Sequence, residues 1–168
     1  SETLRRHFAD WIRGLPIPAP GTFVPVRSID PHSRFINFNY TPTLQRLYGV
    51  AETNILHIHG SASRPNDQII LGHGWERLPE EKLSPNIDED TDVRVAGGYR
   101  LIDQYFSDTF KPTASIIERH RAVFEALGCI KEIVVLGHSL SDVDAPYVSE
   151  IIERVSPSTS WSVSYHTD

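Results

Sequence analysis

The sequence predicts an α/β fold, a Rossmann-like open and mostly parallel sheet flanked by helices. Strand-like runs alternate with helical patterns along the chain, and an aromatic run ending at Tyr40 is followed at once by a helix start. The apolar run 133–136 has no polar alternation, which is typical of a strand buried on both faces of a parallel sheet. In such sheets ligands bind at the carboxyl ends of the strands.

The first element predicted is a short helix over residues 3–12, which have apolar side chains at helical spacing. The stretch 14–21 contains three prolines and two glycines, and the closely spaced prolines end this helix. We therefore expect residues 1–21 to form a helix and linker, and residues 22–168 to form the main domain.

The remaining elements follow from local patterns. Thr41 is the expected N-cap and Pro42 the first residue of a helix that ends at Gly49. Residues 76–96 are polar, acidic and proline-bearing, which predicts a mobile excursion. Strands are predicted at 34–40, 54–59, 68–71, 133–136 and 161–165. Later helices are predicted at 99–110, 113–127 (closed by Gly128) and 145–155.

Composition excludes several classes of protein. The chain has 168 residues and one cysteine, so an intramolecular disulfide framework is excluded. Because its formal net charge is -6, extended electrostatic binding to a nucleic-acid backbone is not expected. No run of about 18 apolar residues is present, which predicts a soluble, cytoplasmic protein. The absence of methionine suggests either that the sequence is part of a longer protein or that methionine positions were not written into it.

Two asparagines follow the first strand-like run. Asn37 and Asn39 share a strand face next to the expected helix start at Thr41. Amides there can orient a ribose hydroxyl, a water or a phosphate. The alternative is that both asparagines satisfy backbone groups of a turn.

Two histidines occupy the end of the second strand. His57 and His59 share a face, and Gly60 allows a close approach by a ligand or by backbone. Histidine can serve as a general base near neutral pH. The alternatives are buried, hydrogen-bonded histidines or a metal pair completed by Asp67 and His73, although no metal is expected.

The third polar segment is the turn 137–144 after the apolar strand. A strand that meets a Gly/Ser turn and a helix N-terminus forms a cradle for an anion or a nucleotide. The turn also approximates a nucleophile elbow at Ser139, which would need His166 with Asp142, Asp144 or Asp168. A simpler alternative is that Asp142 and Asp144 cap the following helix.

Taken in order along the chain, these segments resemble the AbiH family of bacteriophage abortive-infection proteins. The shared pattern comprises residues 35–41 (FINFNYT), 55–60 (ILHIHG), 72–74 (GHG), 135–144 (VLGHSLSDVD) and 161–165 (WSVSY). AbiH proteins are in turn similar to the sirtuin-like group, which includes NAD-cleaving antiphage effectors. The resemblance therefore implies NAD, as substrate or ligand, in a bacterial defence protein.

The resemblance also implies roles for particular residues. Asn39 and His59 match catalytic positions, with Asn39 placing water or the ribose and His59 acting as base. The implied reaction is cleavage of the nicotinamide–ribose bond through an oxocarbenium-like state. The turn that lines the nucleotide in the sirtuin-like group matches Gly137, Ser139, Leu140 and Asp142. We expect Asn37, Thr41 and Gly60 to bind the nucleotide as well.

The sequence departs from the family pattern at Thr41, where many sirtuin-like relatives have an acid, and at the N-terminal phosphate loop. The N-terminal strand and its Gly-Asn-Gly-Phe-Asp phosphate loop are not present, and Gly72 to Gly74 lacks the third glycine of a dinucleotide fingerprint. We expect a sheet without that strand and loop. Expected partners are a nucleotide, a phage-derived trigger and a second copy of the chain, but neither nucleic acid nor membrane. The alternatives are a nucleotide-sensing or scaffold domain and a metal-dependent hydrolase.

Overall fold

A computed structural model describes residues 2–19, 21–22, 24–26, 29–74 and 77–165. Within these ranges the protein is a mixed α/β domain. The helices are α1 (Glu2–Gly14), α2 (Thr43–Tyr48), α3 (Val93–Thr109), α4 (Thr113–Arg119), α5 (Arg121–Glu125) and α6 (Ala145–Arg154). The strands are β1 (Phe35–Asn37), β2 (Ile55–His57), β3 (Glu132–Val135) and β4 (Ser160–Val163). Short 3-10 turns lie at Glu52–Asn54, Pro79–Glu81, Ser84–Asn86 and Ala126–Cys129.

The strands pair in parallel, as the sequence predicts, but in two separate sheets. β1 pairs with β2, from Phe35 opposite Ile55 to Asn37 opposite His57. β3 pairs with β4 in the same way. The α/β class and the parallel pairing are thus confirmed, whereas the strands of the described residues form two two-stranded sheets rather than one open sheet.

The first two strands are shorter than predicted because local hydrogen bonds replace the ladder. β1 ends at Asn37, whose side-chain Oδ1 accepts the Asn39 N–H at 3.0 Å. β2 ends at His57, whose carbonyl accepts the Gly60 N–H at 3.0 Å. Gly60 has a φ of 84°, so the chain turns there and carries His59 out of the strand.

Two strand predictions are wrong in their pairing or burial. Residues 68–71 form no strand, and their apolar character reflects the burial of Ile69 and Ile70 in the core. β3 is not buried on both faces, since Val134 is 41% exposed. An apolar run records a preference for burial, but the neighbouring elements decide how much burial occurs.

Helix starts differ from the predictions where capping differs. α2 has Pro42 at its N-cap, and the Thr41 hydroxyl bonds the Thr43 hydroxyl at 2.8 Å instead of capping. Gly49 ends α2 in the left-handed conformation, as predicted. α3 begins well before residue 99 because the Asp92 carboxylate accepts the Arg94 N–H at 2.7 Å.

The predicted helix 113–127 is divided. α4 and α5 meet at His120, whose φ of -107° is not helical, and Gly128 lies in a 3-10 turn instead of closing a helix. The described part of the predicted excursion 76–96 is held by Asp103 of α3. The Asp103 carboxylate accepts backbone N–H groups from Leu83 and Ser84 at 2.7–3.0 Å.

The core consists of two apolar clusters. The larger one lies between the β1–β2 sheet and the C-terminal helices, and its buried members are Ile58, Ile70, Ile116, Phe124 and Tyr147. The smaller one packs Ala9 of α1 against Ala62 and Ile69. No helix in the described ranges is long and apolar enough to cross a membrane.

Candidate functional site

One lysine and two histidines lie close to one carboxylate near the ends of β1 and β3. Lys111 Nζ lies 3.3 Å from Asp144 Oδ1, and His59 Nε2 lies 3.6 Å from the same oxygen. His138 Nε2 lies 3.6 Å from Asp144 Oδ2. The four side chains are between 3% and 15% exposed, so they interact in surroundings of low dielectric constant. We call these four residues the Asp144 cluster.

Aromatic rings surround the Asp144 cluster. Phe38 meets His59, His138 and Tyr147 edge to face, with centroid distances of 5.6, 4.4 and 5.7 Å. These contacts fix the orientation of both imidazoles and exclude water from one side. The Tyr147 hydroxyl is buried without a hydrogen-bond partner among the described residues, and burial together with the Asp144 charge raises its pKa.

The segment Gly72 to Gly74 brings Lys111 to Asp144. The His73 N–H donates to the Thr109 carbonyl at 3.0 Å, and the His73 carbonyl accepts the Lys111 N–H at 2.9 Å. Gly72 has a φ of 136°, and a Cβ there would lie 1.5 Å from the Thr109 carbonyl oxygen. A Cβ on Gly74 would lie 3.2 Å from Val143 Cα, next to Asp144. These glycines therefore allow close packing of backbone, a role different from a dinucleotide fingerprint.

His59 is uncharged at neutral pH. Burial lowers its pKa to about 4, and the Lys111 charge acts in the same direction while the Asp144 charge opposes it. A ring nitrogen also bonds the Phe38 carbonyl. Because Nε2 has no hydrogen-bond partner among the described residues, that bond is made by Nδ1–H, and the Nε2 lone pair faces the cluster.

His57 has different surroundings from His59. Its Nδ1 lies 3.0 Å from the Asn39 carbonyl, and its Nε2 lies 3.0 Å from the side-chain nitrogen of Gln45. The carbonyl can only accept and the amide nitrogen only donate, so His57 carries its proton on Nδ1. Both nitrogens are thus bonded within the protein, and burial lowers the pKa of His57.

The residues considered for a metal pair do not come together. His57 faces Asn39, His59 faces Asp144, and Asp67 accepts the Ser61 N–H at 3.0 Å. Across the ranges given above, no group of three His, Cys, Asp or Glu side chains is arranged to hold a metal ion.

The other predicted nucleotide-binding residues differ in their exposure to solvent. Asn37 and Thr41 are half-buried, whereas Asn39 is exposed. Gly60 is required by close packing, since a Cβ there would lie 2.5 Å from the Gln68 carbonyl oxygen. After β3, the exposed residues are Gly137, Ser139, Leu140 and Asp142.

The turn after β3 contributes to the cluster through His138. The Leu140 N–H donates to His138 Nδ1 at 2.8 Å, which places the ring proton on Nε2, facing Asp144. For the nucleophile-elbow alternative, His166 and Asp168 lie outside the described residues. Asp144 stands at the N-cap of α6 but its side chain makes no capping bond. The capping interpretation of Asp144 is therefore wrong, because its carboxylate instead accepts a hydrogen bond from Lys111 at 3.3 Å.

Lys111, His138 and Tyr147 belong to the site but were not predicted. His138 lies inside the predicted turn 137–144, so its position after a strand could have indicated that it belongs to the site. Nothing local marks Lys111, whose partner is 33 residues away in the chain. Tyr147 lies in the first turn of α6 and has the pattern of an ordinary core residue.

The fold and the site together define an α/β domain whose parallel strands end at a buried His–Lys–Asp cluster. The chain belongs to the AbiH family, since the family model for bacteriophage abortive infection AbiH matches residues 1–165. Neither a search of curated proteins nor a search of solved structures found a match. Membership indicates a role in abortive-infection defence against bacteriophage.

Proposed function

We propose that this AbiH domain binds NAD or a related nucleotide at the Asp144 cluster and hydrolyses its nicotinamide–ribose bond. The proposal places the chain in the sirtuin-like group and its activity in the cytoplasm, with a phage-derived trigger. One observation carries it: Nε2 of His59 is buried, unprotonated at neutral pH and without a hydrogen-bond partner among the described residues. Such a nitrogen at a strand end is suited to accept a proton from a bound substrate or water.

The cluster contains the groups that hydrolysis needs. As the bond between ribose and nicotinamide breaks, its electron pair leaves with nicotinamide. A water oxygen then bonds the ribose carbon, and the released proton passes to His59 Nε2. The Asp144 carboxylate, 3.6 Å away, stabilises the imidazolium that results. Lys111 Nζ, 3.3 Å from Asp144 Oδ1, forms an ion pair with this carboxylate and holds it in place.

The exposed residues beside the cluster have a binding role in this proposal. Phe38 and His138 are in contact, so the ends of β1 and β3 lie side by side. Asn39 and Ser139 each follow one member of this pair and are exposed. We assign Asn39 to the ribose or the attacking water, and the turn containing Ser139 to the rest of the nucleotide.

Nicotinamide release from NAD tests this proposal. The full chain is incubated with NAD, and products are separated by chromatography. We expect release by the wild type and a loss of about 100-fold or more in His59→Gln, which removes the acceptor nitrogen. His32→Gln, at an exposed histidine, is the matched control and retains the wild-type rate. Absence of release by the folded wild type, or an unchanged rate in folded His59→Gln, would overturn the proposal.

A second function, nucleotide sensing without cleavage, is favoured by the burial of His59. Its side chain is 3% exposed, so a substrate reaches Nε2 only if Phe38 or the turn after β3 moves. Calorimetry distinguishes the two functions. Binding of NAD that is recovered unchanged identifies a sensor, whereas release of nicotinamide identifies a hydrolase.

A further inference from the structure

An open cleft lies between α1 and the loop 65–69, away from the four residues of the Asp144 cluster. Its volume is about 660 Å³, which is within the range of small-molecule sites. Three arginines of α1, Arg5, Arg6 and Arg13, line one wall. These three arginines belong neither to the sequence motifs nor to the proposed hydrolytic site.

Two of these arginines are held in place by backbone carbonyls of other segments. Arg5 Nη2 donates to the Asp108 carbonyl at 3.0 Å, and Arg13 Nε donates to the Ala62 carbonyl at 2.6 Å. Arg13 Nη1 also donates to Asp10 Oδ1 at 2.6 Å, and each guanidinium keeps further N–H donors beyond these bonds. A ligand that binds them therefore loses less side-chain entropy than one that binds freely rotating arginines.

The charge of the cleft favours an anion. The lining has three arginines and two carboxylates, Glu2 and Asp67. Arg13 is paired with Asp10 at 2.6 Å, so the excess positive charge of the cleft rests on Arg5 and Arg6. Asp67 is already engaged, because its Oδ2 accepts the Ser61 N–H at 3.0 Å. A concave site of this size suits a small anion, whereas a nucleic-acid backbone requires an extended basic surface.

We propose that this cleft binds a small phosphate-bearing molecule, with its phosphate groups on Arg5, Arg6 and Arg13. The site is distinct from the Asp144 cluster, and the proposal stands whether or not the chain cleaves NAD. The loop 65–69 leads into Ile70, whose N–H donates to the His59 carbonyl at 3.0 Å.

Calorimetric titration with inorganic pyrophosphate tests the cleft. We expect saturable binding by the wild type and affinity weakened by about tenfold or more in Arg6→Gln, which removes an exposed cation of the cleft. Arg5→Gln is the second variant, and Arg100→Gln on exposed α3 surface is the matched control with unchanged affinity.

A short single-stranded oligonucleotide, titrated at the same salt concentration, separates a small-anion site from a nucleic-acid surface. We expect no saturable binding of the oligonucleotide. No binding of pyrophosphate by the wild type, equal affinity in Arg6→Gln, or oligonucleotide binding lost in the same variants would each overturn the proposal.

Discussion

The substitution Asp144→Asn tests how the Asp144 cluster is held together. It preserves the size of the side chain and removes its charge, which leaves the Lys111 ammonium buried and unpaired. Lys111 is 9% exposed at the side chain and its Nζ lies 3.3 Å from Asp144 Oδ1. Loss of one partner of a buried ion pair costs more than the pair itself contributes, because the remaining charge keeps its desolvation penalty.

The expected magnitude follows from the geometry. At an effective dielectric constant of about 20, two unit charges 3.3 Å apart attract by about 5 kcal/mol. The Asp144 side chain is 15% exposed, so solvent screens part of this attraction. We therefore expect Asp144→Asn to lower the free energy of unfolding by about 3 kcal/mol.

Urea denaturation followed by circular dichroism measures this effect. Asp142→Asn is the matched control: it changes an exposed aspartate two residues away, and we expect a change within about 0.5 kcal/mol. Combining Asp144→Asn with Lys111→Met removes both charges and should recover at least half of the loss. A cost below about 1 kcal/mol for Asp144→Asn, or additive costs in the double variant, would refute the reasoning.

Three further outcomes are expected. Burial lowers the pKa of His59 from 6.5 to about 4, so as the pH falls His59 is protonated in the unfolded chain before it is protonated in the folded one. The free energy of unfolding should therefore decline by about 3 kcal/mol between pH 6.5 and pH 4. Urea denaturation across this range should show a shallower decline in His59→Gln. Gly72→Ala places a Cβ against the Thr109 carbonyl and should cost more than about 2 kcal/mol in thermal unfolding. Gly97→Ala, inside α3 with open space at the Cβ, should stabilise by up to about 1 kcal/mol; equal effects of the two glycine variants would contradict the packing role of Gly72. Asp103→Ala removes the acceptor of the turns before α3, and limited proteolysis should cut there faster than in the wild type.

Local patterns in the sequence were enough to predict several elements of the fold. The amphipathic spacing of α1, the left-handed Gly49 and the α6 start after the polar turn depend on neighbouring residues only. Sheet assembly depends on distant segments, so the apolar character of residues 68–71 was mistaken for a strand. The same limit applies to β3, whose exposure is set by which elements pack on it.

The candidate site was predictable only in part. His57 and His59 have the same strand position and spacing in the sequence, and the turn at Gly60 gives them different surroundings. Lys111 could not be predicted, because it reaches Asp144 through packing of Gly72 against Thr109. Residue type and position at a strand end were thus enough to predict where the site lies. Which side chains meet there depends on backbone packing between distant segments, which the sequence pattern does not show.

The double variant Asp144→Asn with Lys111→Met separates folding from function, because it removes both charges while retaining much of the stability. Nicotinamide release from NAD is measured for the folded double variant and the wild type at the same temperature. If the Asp144 cluster is the hydrolytic centre, the double variant is folded and releases nicotinamide about 100-fold more slowly or not at all. Release at the wild-type rate would contradict the assignment of the cluster as the site of hydrolysis.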